Sequence, residues 1–402
     1  MTTAQLRDYF GEDAISDNGR FVDSAMSDKY INDDKLKDFF TGELGRNEGE
    51  WDDKTRDEND ISTIVRELHK KNVEIGFFPT GDVDLAAYNP STELKGYIET
   101  AVNSKFDFLK PEIPCLKLWH INGSDNRKNK DQYLFTFYEC NDPTPLELTI
   151  CKAQDRTFFS STDARDHFIN GGCDNAEAIP LGLDEDFKPT GKTYLKDVIH
   201  FGLMGKFENR KHTGKIIKAW AKKYGNNPKY QLSCCVTNPF FPLEQMKGLL
   251  ASAVEGKNYN NINFLPTLAT NGEVNELLNA IDIDLTGLSG GEGWNLPAFN
   301  ATCLGKWSVV LNVTSHKDWA TEENSILIKP SGEMSVEDGV FFTKENPFNK
   351  GTFYTWTEDE AIAAMEKAES KAGQINTEGM KLAEKFTYSN TVDSILAAIF
   401  KD

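Results

Sequence analysis

Ser289-Gly-Gly-Glu-Gly-Trp-Asn-Leu-Pro-Ala-Phe-Asn-Ala-Thr-Cys-Leu-Gly305 runs a glycine-rich loop carrying one acid straight into a helix. Gly290, Gly291 and Gly293 let the backbone approach a ligand closely, and Pro297 suits a first helical turn. The free N–H groups of that turn, helped by the helix dipole, attract an anion. Glu292 does not. A carboxylate beside an anion site accepts hydrogen bonds from a neutral polyol, so the pairing points to a ligand with phosphates at one end and hydroxyls at the other. A nucleotide-sugar is such a ligand.

Outward from this loop the chain alternates between the two hydrophobic periods. Before it, the pattern predicts helices over 61–71, 94–109, 146–153 and 162–170, and strands over 73–78, 114–121, 133–138, 156–160 and 178–181. The polar stretch 187–192, with Pro189 and Gly191, reads as a linker. The cycle then restarts, with strands over 198–204, 230–235, 262–265, 283–288 and 308–313 and helices over 213–224, 243–253 and 274–280 and from 296. Alternation of this kind implies α/β architecture: two tandem Rossmann-like, doubly wound domains facing a cleft. The boundaries expected are 61–190 and 193–375, with closing helices over 358–372 and 380–399 and the segment 380–402 expected to cross back to the first domain.

The composition, 39% apolar and 11% aromatic over 402 residues, is that of a globular chain with room for two domains. No apolar run approaches the length of a membrane span and no leader pattern opens the chain, so a soluble, cytoplasmic protein is expected. Seven cysteines without a C-x-x-C pair indicate neither a disulfide framework nor a zinc site. The net charge of −19 opposes long-range attraction to nucleic acid or anionic membranes. Residues 1–60 hold 17 acids and 8 bases yet include Tyr9, Phe10, Phe21, Phe39 and Trp51, which suits an acidic cap or insertion on the first domain.

A second cationic element opens the second domain: Gly205-Lys-Phe-Glu-Asn-Arg-Lys-His-Thr-Gly214. Lys206 and Lys211 stand five apart, while Arg210, Lys215, Lys218, Lys222 and Lys223 read as a solvated helix start. In the first domain, Glu139 follows the strand over 133–138 and His120 ends the one before it; both fall at carboxyl ends of strands, where ligands bind in such sheets. Asp82-Val-Asp84, Asp184-Glu-Asp186 and Asp282-Ile-Asp284 match an Asp-x-Asp metal clamp, a pattern that an acidic chain produces by chance.

Taken together, residues 110–330 resemble retaining glycosyltransferases of family 4, which have the GT-B fold. The loop is similar to S-x-x-E-G-F-G-L-P-x-x-E-A-x-A-x-G, with Glu292 at the first acid and Asn300 where the second is usual. The segment from Gly205 is similar to G-R-x-x-x-x-K-G, with Lys206 in the Arg position and His212 where Gly is usual. The resemblance implies transfer of a sugar from a UDP- or GDP-sugar to an acceptor hydroxyl with retention. Lys206 and Lys211 would hold the diphosphate, Gly291 and the amides of Gly293, Trp294, Asn295 and Leu296 a phosphate, and Asn300 the ribose. Glu292, Glu139 and His120 would face the sugar or acceptor, with no metal needed. Two alternatives stay open: a phage-type DNA glycosyltransferase acting on hydroxymethylated pyrimidines, favoured by Lys117, Arg127, Lys128 and Lys130, and a non-catalytic nucleotide-sugar-binding protein.

Overall fold

The computed structural model describes residues 57–79, 85, 91–192, 194–338 and 342–400. All but the last four residues of the acidic segment 1–60, and Asp82-Val-Asp84, lie outside the described residues.

The first sheet is built from β1 (Cys115–Leu118), β2 (Gln132–Thr136), β3 (Arg156–Phe159) and β4 (Ala176–Ala178), all parallel and in that order. Helices α1 (Asp57–Lys70), α2 (Thr92–Asn103), α3 (Pro145–Lys152) and α4 (Thr162–Asn170) accompany it. Local chemistry sets their starts. Thr144 and Glu147 form a capping box with Pro145 in the first turn of α3, and Ser161 caps α4. The strand expected over 73–78 does not form: the run is extended, but its Phe77 N–H donates to the Ala101 carbonyl of α2 rather than to a neighbouring strand.

In the second domain β5 (Ile199–Met204), β6 (Tyr230–Cys235), β7 (Ile262–Phe264), β8 (Ile283–Asp284), β9 (Trp307–Leu311) and β10 (Ser325–Ile328) form one parallel sheet. Helices α5 (Thr213–Tyr224), α6 (Leu243–Ala253), α7 (Asn271–Ala280) and α8 (Leu296–Cys303) connect its strands. The order β7-β6-β5-β8-β9-β10 reverses direction between β5 and β8. Such a reversal opens a crevice at the carboxyl ends of the two strands, which is where doubly wound sheets bind ligands. Beyond Asp284 the strand expected to reach 288 turns into a 3-10 segment, Thr286–Leu288.

Two features tie the domains together. A hairpin of β11 (Gly332–Ser335) and β12 (Thr352–Thr355), with no counterpart in the sequence expectations, leaves the second domain and buries Val336, Phe342 and Phe353 among Leu134, Tyr138 and Phe159 of the first. After α9 (Glu358–Glu369) the chain makes two single turns, Thr377–Met380 and Leu382–Lys385, in place of the long helix expected over 380–399. It ends in α10 (Tyr388–Ile399), capped by Thr387. This last helix lies on the first domain: Val392, Ile395 and Ala398 share a core with Ile64, Phe135 and Phe158, and Trp294 and Phe299 enter the same core from the other side. Among the described residues no helix is long and apolar enough to cross a membrane.

Candidate active site at the crevice

The loops that leave β5 and β8 meet at the crevice, and an ion cluster joins them. Lys211 Nζ lies 2.6 Å from Glu292 Oε1. Arg210 Nη1 reaches Glu292 Oε2 at 3.1 Å, Glu139 Oε1 of the first domain at 3.0 Å, and donates to the Gly291 carbonyl at 2.6 Å. Its Nη2 lies 3.1 Å from Glu208 Oε2. Arg210, expected to be solvated, is in fact 7% exposed and forms the centre of the cluster. The reading failed because all its partners but Glu208 lie in other loops, including one in the other domain.

The two carboxylates that share Arg210 are driven apart. Burial would raise the Glu292 carboxyl, but Lys211 and Arg210 overcome it and hold the group well below the usual carboxylate range. At Glu139 burial wins over Arg210, with Glu292 adding repulsion, and the carboxyl is pushed up. The two carboxyls are thus shifted in opposite directions, Glu292 by the two cations at hydrogen-bonding distance and Glu139 by its lost solvation. Glu139 is also the one with access: 30% of its side chain is exposed, against 6% for Glu292.

The glycines answer to the protein itself. A Cβ on Gly290 would stand 2.2 Å from the Tyr354 carbonyl oxygen, and one on Gly291 2.5 Å from that of Glu139. The backbone approach is therefore used first for packing the loop against the hairpin and the first domain. Gly293 extends the seam, its carbonyl accepting the Ser160 hydroxyl at 2.7 Å.

Around the start of α8 the polar groups are largely accounted for. Asn295, with φ 64°, donates from Nδ2 to the Thr286 carbonyl at 3.1 Å and lies 2.9 Å from His316 Nε2. Because His316 Nδ1 is 2.7 Å from the Leu311 carbonyl, which only accepts, the proton sits on Nδ1 and Nε2 accepts from Asn295. Among the buried oxygens without a protein donor are Asn295 Oδ1 and Asn300 Oδ1. They flank α8 at its first turn and its middle, the ends assigned above to phosphate and ribose. The Glu292 N–H donates to Thr314 Oγ1 at 3.2 Å, and Thr314 holds φ at 45°, strain that a β-branched residue keeps only when its surroundings demand it. Thr314 and Glu208 carried no signal in the sequence.

The remaining expected residues are spread wider. Lys206 lies with Nζ 4.8 Å from the Phe240 ring centroid, beyond β6. Trp294 is buried against Phe299 and Phe386, so its side chain belongs to the interdomain core. Leu296 begins α8 and is half-buried against the interdomain core. His120 is exposed where β1 ends, its ring edge-on to Trp119, and is not a member of the ion cluster. Of the solvated helix start, Lys215 instead packs on Trp356, while Lys218, Lys222 and Lys223 make surface ion pairs. The Asp-x-Asp matches are otherwise engaged: Asp184 and Asp186 grip Arg66, and Asp282 accepts the His200 N–H. Among the described residues no cluster of His, Cys, Asp and Glu could hold a metal ion.

Asp284, which ends β8 beneath the crevice, is buried at 1% exposure with neither oxygen in hydrogen-bonding geometry. Burial raises its carboxyl to about 6, and the Thr286 and Ser308 hydroxyls and the Thr286 and Gly287 N–H groups, near but poorly aligned, offset only part of the rise. The folded state thus holds this proton more tightly than the unfolded chain, so the group's contribution is full below pH 4 and is lost as pH climbs through 6. The loss is about 3 kcal/mol. Asp284→Asn removes the titration: relative to native, the variant should gain up to about that amount between pH 4 and 7 in urea unfolding. A stability difference that stays flat across this range would show that the carboxyl is not held protonated.

No protein-family model matches the chain, and no curated protein matches it. Solved structures do. HepE from Anabaena, determined in complex with UDP-glucose, superposes with a TM-score of 0.58 over 88% of this chain and 97% of its own, at 13% identity. Sucrose-phosphate synthase from Thermosynechococcus elongatus gives 0.54 over 78% and 79%, at 13% identity. The chain has the GT-B fold. A trehalose-6-phosphate synthase, OtsA, is similar over 90% of this chain and 84% of its own, with a TM-score of 0.53 and 12% identity. At these identities the likeness speaks for the fold, and the assignment of chemistry to the GT-B crevice rests on the residues described above.

Proposed function

We propose that the protein is a retaining glycosyltransferase that takes a sugar from a nucleoside diphosphate sugar, UDP-linked in preference, and transfers it to an acceptor hydroxyl. The observation that carries this reading is the pairing of Lys211 with Glu292 at 2.6 Å where the two loops meet in the crevice. A cation for a diphosphate and a carboxylate for sugar hydroxyls stand side by side, next to the start of α8. The UDP and UDP-glucose named for the HepE complexes support the choice of donor.

In this mechanism Glu292 stays ionised and accepts hydrogen bonds from sugar hydroxyls. Lys211 turns from Glu292 toward the diphosphate, joined by Lys206, and the amides of Gly293 to Leu296 receive a phosphate oxygen. Fixed cations and amides stabilise the leaving diphosphate without a metal ion. The bond from anomeric carbon to phosphate oxygen breaks as the acceptor oxygen arrives on the same face, and the acceptor proton passes to the departing phosphate. Glu139, facing the cleft, contacts the sugar or acceptor, and His120 lines the approach from the β1 side. Asn300 Oδ1 accepts from a ribose hydroxyl. The DNA-directed alternative loses part of its support because Lys117 donates to the Asn126 carbonyl and Arg127 to the Ala153 carbonyl and Asp155.

Titration calorimetry with UDP tests the donor site. Lys206→Ala and Lys211→Ala should each weaken binding by about 1–3 kcal/mol, the range for a charge-assisted contact. The same titration in chelator should match the one without. Native affinity in both variants would remove the assignment, and affinity lost with chelator would return a metal to the mechanism.

A further inference from the structure

His212 occupies a position that costs it energy. Its φ is 54°, in the left-handed region, and it opens α5 without a side-chain cap. For a residue with a Cβ this conformation is disfavoured, because the Cβ crowds the following carbonyl oxygen. The ring supplies a reason for its presence. It is buried, edge-on to Trp356, with Nε2 2.9 Å from the Tyr354 carbonyl oxygen. That oxygen only accepts, so Nε2 carries the proton. Burial lowers the ring's pKa to about 4, which keeps it neutral and the donor fixed near neutral pH.

The contact closes a circuit. The Tyr354 N–H donates to the Gly290 carbonyl at 2.9 Å, and the Gly290 N–H donates to the Arg210 carbonyl at 2.8 Å, two residues before His212. Both loops of the crevice are thus fastened to one residue of β12. The hairpin that carries this residue is in turn fastened to the first domain. Asn141 accepts the Thr352 N–H at 2.9 Å and donates to its hydroxyl at 2.7 Å, and Glu147 Oε1 accepts the Asn349 N–H at 2.9 Å. Val336, Phe342 and Phe353 anchor the rest in the first-domain core.

We propose that His212 is a positioning residue, through which the first domain's grip on the hairpin sets the geometry of the two donor loops. The statement that these loops hold a donor rests on the function proposed above; the coupling itself does not. Its path is Asn141 to Thr352, along β12 to Tyr354, then through the His212 ring to α5 and through Gly290 to the glycine loop. Removing the ring cuts the side-chain link between the hairpin and the start of α5, and leaves in place the Tyr354–Gly290 backbone bond, the Arg210–Glu139 pair and the Ser160–Gly293 bond.

His212→Gly tests this directly, because glycine relieves the left-handed strain. A residue needed only for backbone shape would then leave the protein as stable as before, with unchanged loops. With the ring gone, amide hydrogen exchange across 212–217, the turn that it holds to the hairpin, should rise about tenfold or more, equivalent to roughly 1.4 kcal/mol of local opening. Asn141→Ala, on the first domain, should raise exchange in the same segment. In the His212→Gly background it should add less than it does alone, because the ring's share of the connection is already gone. If His212→Gly fails to fold, His212→Asn, which also tolerates the left-handed region, replaces it in the cycle. Independent, additive effects of the two substitutions, or native exchange in His212→Gly, overturn the proposal. Sugar turnover measured on the same variants should fall non-additively. A protein with no transferase activity but with the exchange coupling intact would discard the function and keep the inference.

Discussion

Arg210→Ala should cost the fold about 3–5 kcal/mol, the usual penalty for removing one partner of a buried ion network. The cluster explains the size. Glu292 is 5% exposed and Glu208 and Glu139 share the same guanidinium, so deleting it leaves three carboxylates facing one another with Lys211 as the remaining cation of the cluster. Part of the loss has a pH signature. A carboxyl whose pKa is depressed in the fold, as at Glu292, contributes stability above the ordinary carboxylate range and loses it as pH falls. The penalty for Arg210→Ala should therefore be larger at pH 7 than at pH 4, where protonation relieves the exposed repulsion. Arg210→Met retains most of the volume and separates packing from charge. Urea unfolding of both variants at the two pH values decides; a cost below about 1 kcal/mol at pH 7 would place the cluster with solvent-screened surface pairs and refute its role as the central tie.

Glu292→Gln should affect chemistry and affinity in opposite directions. Turnover should drop more than about tenfold, or roughly 1.4 kcal/mol, because sugar hydroxyls hydrogen-bonded to a carboxylate can tighten in the transition state. Affinity for the bare nucleoside diphosphate should hold or improve. In the native site Lys211 is engaged by Glu292 at 2.6 Å, and neutralising that partner leaves the full ammonium charge for the diphosphate. A pair of measurements, UDP affinity and steady-state transfer or donor hydrolysis, checks both halves. Normal turnover in Glu292→Gln would sink the donor-site reading.

What could be read from the sequence was what local pattern encodes. The helices over 213–224 and 243–253 and the strand over 230–235 fall where their periodicity and punctuation place them. Lys211 and Glu292 could be paired from motif spacing, since each lies in a loop leaving a strand of one doubly wound sheet. What escaped was whatever the other domain creates. The β11–β12 hairpin is short, and its Phe342 and Phe353 gain their burial from first-domain residues about two hundred positions away, so no local period announces it. Arg210 stands among lysines that do face solvent, and only the arrival of Glu139 and the glycine loop makes it central. The glycines were read as room for a ligand; Gly290 and Gly291 are needed by neighbouring carbonyls, which act on the same freedom of approach.

The position of α10 bears on the order in which the chain acquires its structure. Tyr133 of β2 donates its hydroxyl to the Ile399 carbonyl at 3.4 Å, across 266 residues, and Leu183 pairs with the segment at Phe386 and Thr387. The first domain therefore emerges from the ribosome with an apolar face that, among the described residues, is covered by segments synthesised well after it. The second domain is assembled from neighbouring strand-helix units and closes few long loops, the faster kind of contact to form. Vectorial synthesis usually favours N-terminal domains, which fold first as independent units. Here the earlier-made half waits for the later one, and until Val392, Ile395 and Ala398 arrive it presents Ile64, Phe135 and Phe158 to whatever chaperone or aggregate reaches them first.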